Sequence, residues 1–349
     1  MKTENNIIIS CLLLLLAISC SKTDKMPEAA QEIVMNRIQT KADYEEGGVF
    51  GIYAYHLPIP ADSDRITAWN PTDATAYLEN VAFRYDGTTA TGWDPSANSG
   101  SGAAVPYYWP LSGSIAFTGY SPYHTMTDAI TGVDYYPNLS ANPNNPYLTI
   151  DFVQKTAPAQ QVELLYFTTM SRTVDKNTGS GSVPLTFSRA MSKVSISFKD
   201  DNSYYRIANV KVGGCVNKGT FYAAALNPNW NPDITAVSEY TILAGPVQLA
   251  PEPASCAVIY PISQPLNGEY PTLHGKTEKG VYLTFELIDK TDDNFRYVLE
   301  YKLYNAALPE KWEMGMHYQY VFTVTADPIQ FDSPSITVDA FEEKNLGTI

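Results

Sequence analysis

The chain is 349 residues long, with only 17% charged side chains but 25 tyrosines, 21 glycines and 24 prolines. That vocabulary belongs to strands and turns rather than to surface helices rich in Glu, Lys and Ala. The formal net charge of -14 excludes a nucleic-acid backbone as partner, since phosphate recognition needs a basic surface, and it equally excludes holding anionic lipid by charge.

Met1 to Asn6 is a short polar start, Ile7 to Ile18 is almost wholly apolar, and Ala17, Ile18 and Ser19 lead directly to Cys20. This is the layout of a secretory signal peptide, and its apolar core is short for a membrane-spanning helix. A cysteine at the cleavage point resembles the bacterial lipobox, with Ala17 standing where Leu is usual. The new N-terminal cysteine would then carry acyl chains that anchor the protein to the outer membrane. The expectation is therefore a lipoprotein signal over residues 1–19, lipidation at Cys20 and export; a plain signal peptide or an uncleaved anchor is the alternative. Residues 20–30, Cys20 followed by SKTDKMPEAA, read as a flexible tether.

Beyond the tether, period-two alternation recurs. Val49 to His56 is apolar on both faces, as in a covered strand. Alternation continues over 81–85, 194–198, 281–288 and 318–325, each burying one face as antiparallel sandwich sheets do. Turn signals stand at Asp86-Gly87, Asn138, Lys199 to Asn202, Asn267-Gly268 and Asp289 to Asn294. The last of these predicts a hairpin joining 281–288 to 295–303. Only 122–131 suggests a helix, and a short one. The polar stretch 172–182 (RTVDKNTGSGS) divides the chain near 183, predicting an all-β protein of two tandem β-sandwich domains, 31–182 and 183–349. Cys215 and Cys256 are expected as buried free thiols, although export leaves a disulfide open.

Several segments together resemble the fimbrillin family, the lipoprotein subunits of type V pili. Pro106 to Pro110 (PYYWP) with Ile115 to Pro122 (IAFTGYSP) is similar to a recurrent stretch of the first domain in that family. Val183 to Phe198 resembles the strand pair that opens the second, with Arg189 where a His is common. His317 to Thr325, Ile329 to Phe331 and Ser335 to Phe341 resemble the closing strands, with Phe341 where many relatives carry Trp. The resemblance implies that both sandwiches are transthyretin-like and that subunits polymerise by strand exchange. A trypsin-like protease cuts after a basic residue near the N-terminus, the first strand leaves, and the C-terminal strand of another subunit fills the groove. The physics is general: removing a strand uncovers apolar core and a row of unpaired backbone groups, and an added strand satisfies both.

On that reading Gln31 to Thr40 is the leaving strand, Arg37 and Lys41 are the candidate cleavage residues, and Ile336, Val338 and Ala340 form the apolar row of the donor strand. The partners implied are other pilin subunits, of the same or a related kind, the maturation protease, and a glycan or host-protein ligand if the subunit is adhesive. The role is structural, at the stalk or tip of a surface fimbrium. Ordinary solvated charges at 37 and 41, and an ordinary last strand, are the plain alternatives.

No enzyme is expected. His56, His124, His274 and His317 are scattered without ligand spacing, and no nucleophile elbow or phosphate loop occurs. Asp289, Asp292 and Asp293 are the one carboxylate group suited to Ca2+, but a hairpin turn uses the same residue types, so neither metal nor cofactor is predicted. The competing function is a monomeric surface lipoprotein that binds glycans, using Trp69, Trp93, Trp109, Trp230 or Trp312, or exposed tyrosines, as sugar platforms.

Overall fold

The computed structural model describes residues 31–35, 49–60, 75–85, 93–94, 106–123, 138–142, 145–168, 173–177, 182–183, 185–223, 227–271, 277–304, 308–324 and 334–340. The fold is all-β; the one helical turn among these residues is a 3-10 segment, Pro158–Gln160.

A six-stranded antiparallel sheet forms the front of the molecule, in the order Ser188–Arg189, Leu165–Thr168, Ser114–Ser121, Val49–Leu57, Thr75–Tyr85, Trp93–Asp94. Its two central strands are covered on both sides, as the alternation at 49–56 predicts. Phe50, Ile52 and Ala54 face one cluster with Phe83, Trp109, Phe117, Phe167 and Phe187. Tyr53 and Tyr120 belong to a second cluster with Leu148, Ile150, Phe152, Tyr166 and Phe221. Phe50, Phe167 and Phe187 meet edge to face, with centroids 5.1–6.3 Å apart, the arrangement that aromatic quadrupoles favour. Gly119 admits no side chain, since a Cβ there would run into the Phe167 ring.

The second cluster lies under a four-stranded antiparallel sheet, Asn229–Pro232, Lys218–Ala223, Asn145–Val153 and Asn138–Asn142. Two of its strands precede residue 183 and two follow it. Phe221 pairs opposite Ile150, and the Trp230 indole N–H donates to the Ala190 carbonyl at 2.6 Å.

The back of the molecule is a sandwich of two sheets. One runs Ala254–Ser255, Lys193–Asp200, Met316–Val324, Ser335–Ala340. The other runs Val237–Leu243, Tyr205–Val216, Tyr282–Asp289, Arg296–Lys302, with Val247–Gln248 also on Tyr205–Val216. Phe198, Phe285, Trp312, Tyr320 and Phe322 fill the space between them. Trp312 and Tyr320 are fully buried, and the indole N–H donates to the tyrosine hydroxyl at 3.0 Å. Sequence patterning implies antiparallel sheets throughout, yet Lys193–Asp200 and Met316–Val324 run parallel. The chain between them crosses to the opposite sheet and returns from the same end.

The predicted turns take their residues for hydrogen-bonding reasons. Asp200 accepts from the amides of Asn202 (2.9 Å), Tyr204 (2.6 Å) and Tyr205 (2.9 Å). Asp289 and Asp292 accept from the amides of Thr291 (2.7 Å) and Asn294 (2.9 Å), closing the predicted hairpin with Ile288 opposite Arg296. Asn138 opens a strand instead of standing in a turn. The suggested helix at 122–131 lies mostly outside the described residues.

Candidate functional site

Residues Gln31 to Met35 form a short extended segment held by two separate parts of the chain. The Ile33 N–H donates to the Tyr107 carbonyl at 2.6 Å, and the Trp109 N–H donates to the Gln31 carbonyl at 2.9 Å, making an antiparallel bridge. Val34–Met35 then pairs in parallel with Ser182–Val183. The Ile33 side chain is 6% exposed and belongs to the front core cluster that also holds Phe50, Phe83, Trp109, Phe117, Val183 and Phe187. Burying an isoleucine contributes roughly 1.5–3 kcal/mol. Removing 31–35 would uncover that cluster and orphan the backbone of 107–109 and 182–183.

At the other end of the chain, Ser335–Ala340 pairs antiparallel with Met316–Val324, from Met316 opposite Ala340 to Val321 opposite Ser335. Among the described residues it is an edge strand with a neighbour on one side only. Of the apolar row foreseen from the sequence, Ile336 is half-buried against the back core, whereas Val338 is 42% exposed. Ser335, Thr337 and Asp339 are exposed as well, and Gln319 reaches Asp339 at 3.2 Å. The strand thus keeps its backbone pairing but gives its own fold little side-chain burial.

A family model described as Fimbrillin-like matches residues 37–338. The chain belongs to the fimbrillin-like family. Membership makes it a fimbria-related protein of the cell surface. No curated protein sequence matches this fimbrillin-like chain. Among solved structures, a fimbrial protein from Bacteroides vulgatus is similar at 14% identity and TM-score 0.56, covering 89% of this chain and 99% of that one. A candidate cell adhesion protein from Bacteroides uniformis is similar at 16% identity and TM-score 0.51, covering 89% and 97%. At these identities the likeness concerns the fold alone.

Within this fimbrillin-like fold, Cys20, Arg37 and Lys41 lie outside the described residues. Trp109 and Trp312 are core side chains, which removes them as sugar platforms, whereas Trp230 is partly buried against the cluster beneath the shared sheet. Trp69 and the side chain of Trp93 lie outside the described residues. Asp289 and Asp292 cap their own turn and Asp293 pairs with Arg206, so the hairpin carboxylates serve the fold. His56 approaches the Ser112 carbonyl at 2.8 Å, and His317 bonds Ser195 at 2.7 Å. Cys215 and Cys256 are buried free thiols; burial pushes Cys256 up to about 12 and Cys215 further still. Among the described residues no His, Cys, Asp or Glu group is arranged to hold a metal.

Sequence reading missed the buried ion pair of Arg189 with Glu163, whose side chains are 8% and 19% exposed. Burial raises the Glu163 carboxyl, while Arg189 and then Lys193 pull it back. No spacing rule links positions 163 and 189; only the strand pairing of Ser188–Arg189 with Leu165–Tyr166 brings them together.

Proposed function

We propose that this chain is a structural subunit, at the stalk or tip, of a cell-surface pilus that serves adhesion. It is exported as a lipoprotein acylated at Cys20 and held on the outer membrane. A trypsin-like protease cuts after Arg37 or Lys41, the segment from 31 leaves, and the closing strand of another subunit, its own kind or a related one, takes the vacated place. Division into two transthyretin-like sandwiches near residue 183 is part of the same proposal, with Ser188–Arg189, Lys218–Ala223 and Asn229–Pro232 from beyond that point completing the front sheets.

The observation that carries the reading is the contrast between the two ends. Ile33 is buried in the front core on a short segment that ends just before two basic residues. Val338 lies bare on an edge strand that its own sandwich hardly uses. One segment leaves a space shaped for apolar side chains, and the other has such side chains to give. Trp109 and Trp312 lie in the core, which leaves the monomeric glycan binder the partly buried Trp230 and the exposed Tyr77, Tyr108 and Tyr204 among the described aromatic side chains.

The test treats purified precursor with a trypsin-like protease and sizes the product. Removal of a segment ending at Arg37 or Lys41, followed by ordered polymers, is expected. Deleting 334–349 should abolish assembly while leaving a folded monomer. A cleaved chain that stays monomeric, or polymers that form without the last strand, would overturn the reading.

A further inference from the structure

We infer that a second copy of this chain pairs with the first along Arg296–Lys302, edge to edge across a twofold axis, independently of strand exchange. This strand ends the five-stranded back sheet. The Asp289 N–H donates to the Phe295 carbonyl and the Leu303 N–H to the Val281 carbonyl. Backbone groups alternate along an antiparallel ladder. The backbone N–H and C=O groups of odd-numbered residues between Phe295 and Leu303 therefore point inward to Tyr282–Asp289. The N–H and C=O groups of Arg296, Val298, Glu300 and Lys302 point outward, and among the described residues no strand takes them.

Two large apolar side chains lie bare on this edge, Val298 at 76% exposure and Phe295 at 59%. The occupant follows from the charges. An antiparallel partner must match outward residues with outward residues, which leaves few registers. Centring the twofold axis on Val298 sets Arg296 opposite Glu300 of the second copy, twice, and sets Phe295 opposite Tyr301. Moving the axis to lie opposite Leu299 sets Arg296 against Lys302 twice, and centring on Glu300 sets two carboxylates together. Opposite charges directly across a ladder stabilise and like charges destabilise. Axes opposite Tyr297 or Tyr301, the latter also setting Glu300 against Lys302, pair only one end of the strand. Charged residues on an edge ordinarily block undirected pairing; among the registers that keep most of Arg296–Lys302 paired, these favour the one centred on Val298. Such a contact is isologous and closes at a dimer, unlike head-to-tail strand exchange, which stays open.

The test is sedimentation velocity on the uncut full chain up to about 1 mM, because a contact of this size belongs to the weak class of interfaces. A monomer–dimer equilibrium that stops at two is expected. Arg296→Glu and Glu300→Arg, each alone, should raise the dissociation constant about tenfold, since two attractive pairs become repulsive. The double swap should restore it to within about threefold on the same grounds. Arg296 also pairs with Glu286 of its own sheet at 3.2 Å, so near-UV circular dichroism confirms that each variant is folded. A chain monomeric throughout, or single swaps without effect, or a double swap that fails to restore pairing, would overturn the inference.

Discussion

Ile33 donates its backbone N–H to the carbonyl of Tyr107 at 2.6 Å while its side chain sits in the front core at 6% exposure. One residue thus ties the start of the described chain to the sheet through both backbone and side chain. Ile33→Ala should cost the uncut precursor about 2–4 kcal/mol, as buried truncations do, read from urea unfolding. If this segment leaves on maturation, polymers grown from the variant should melt with those of the parent. A polymer weakened as much as the precursor would mean that the segment stays.

Val338 gives the complementary test. At 42% exposure it adds little to its own subunit, so Val338→Asp should shift monomer stability by no more than about 0.5 kcal/mol. In a donor strand the same side chain enters an apolar groove, where an unpaired carboxylate is costly. The variant should therefore fold, be cut and fail to polymerise. Normal assembly would show that the 335–340 strand is not the donor. Ile336→Asp is the harsher change, because Ile336 already packs against the back core.

How much of this was legible depends on whether neighbours in space were neighbours in sequence. The covered strand at 49–56 and the hairpin at 281–303 follow from local alternation and turn residues, and both stand in the structure. Tyr205–Val216 escaped because two bulges, one between Ala208 and Lys211 and one between Val212 and Cys215, reset the alternation. Asn209 and Gly214 adopt positive φ at those places, 50° and 73°. Leu148, Ile150 and Phe152 alternate as a strand should, but the pairing that joins Asn145–Val153 to Lys218–Ala223 spans some seventy residues, and no local pattern names the partner. The site shows the same division. Alternation at 336–340 was readable, but not that Ile336 alone of the described side chains in that row meets the core. Ile33 was readable as apolar, but the cluster it joins gathers residues from positions 50, 83, 109, 117 and 187.

The two body cysteines give a prediction about the back core. Burial raises both thiols, Cys256 to about 12 and Cys215 further. At pH 8 neither forms appreciable thiolate in the fold, and neither is accessible. A thiol-reactive dye should label no body cysteine in the native protein and both in denaturant. The linkage has a definite sign: groups raised in the folded state stabilise below their unfolded value, here 9.0 for the thiols. That stability is lost as pH climbs through the raised values. Unfolding midpoints should therefore fall above about pH 9. Rapid labelling of the native protein, or a disulfide on a non-reducing gel, would contradict this arrangement.

The Arg189–Glu163 pair should show a pH dependence that depends on which partner is removed. Burial holds the Glu163 carboxyl above its ordinary 4.5, and Arg189 is the main influence drawing it down. Arg189→Met removes that influence and leaves a carboxyl buried without its guanidinium. At neutral pH the cost should be about 3–5 kcal/mol, the range for breaking a buried pair from one side. A carboxyl raised in the fold binds its proton more tightly there than in the unfolded chain. Its stabilising contribution is present at low pH and is lost as pH rises from 4.5 through the raised value. The penalty of Arg189→Met should therefore be small near pH 4.5 and grow towards pH 8, measured as the difference in urea midpoints from the parent. Removing both charges with Arg189→Met and Glu163→Leu should recover much of the loss and flatten the pH dependence, because two apolar groups carry no desolvation penalty. A penalty independent of pH in the single variant would mean that Glu163 finds another cation once Arg189 is gone, with Lys193, the other positive group acting on it, the one to replace next.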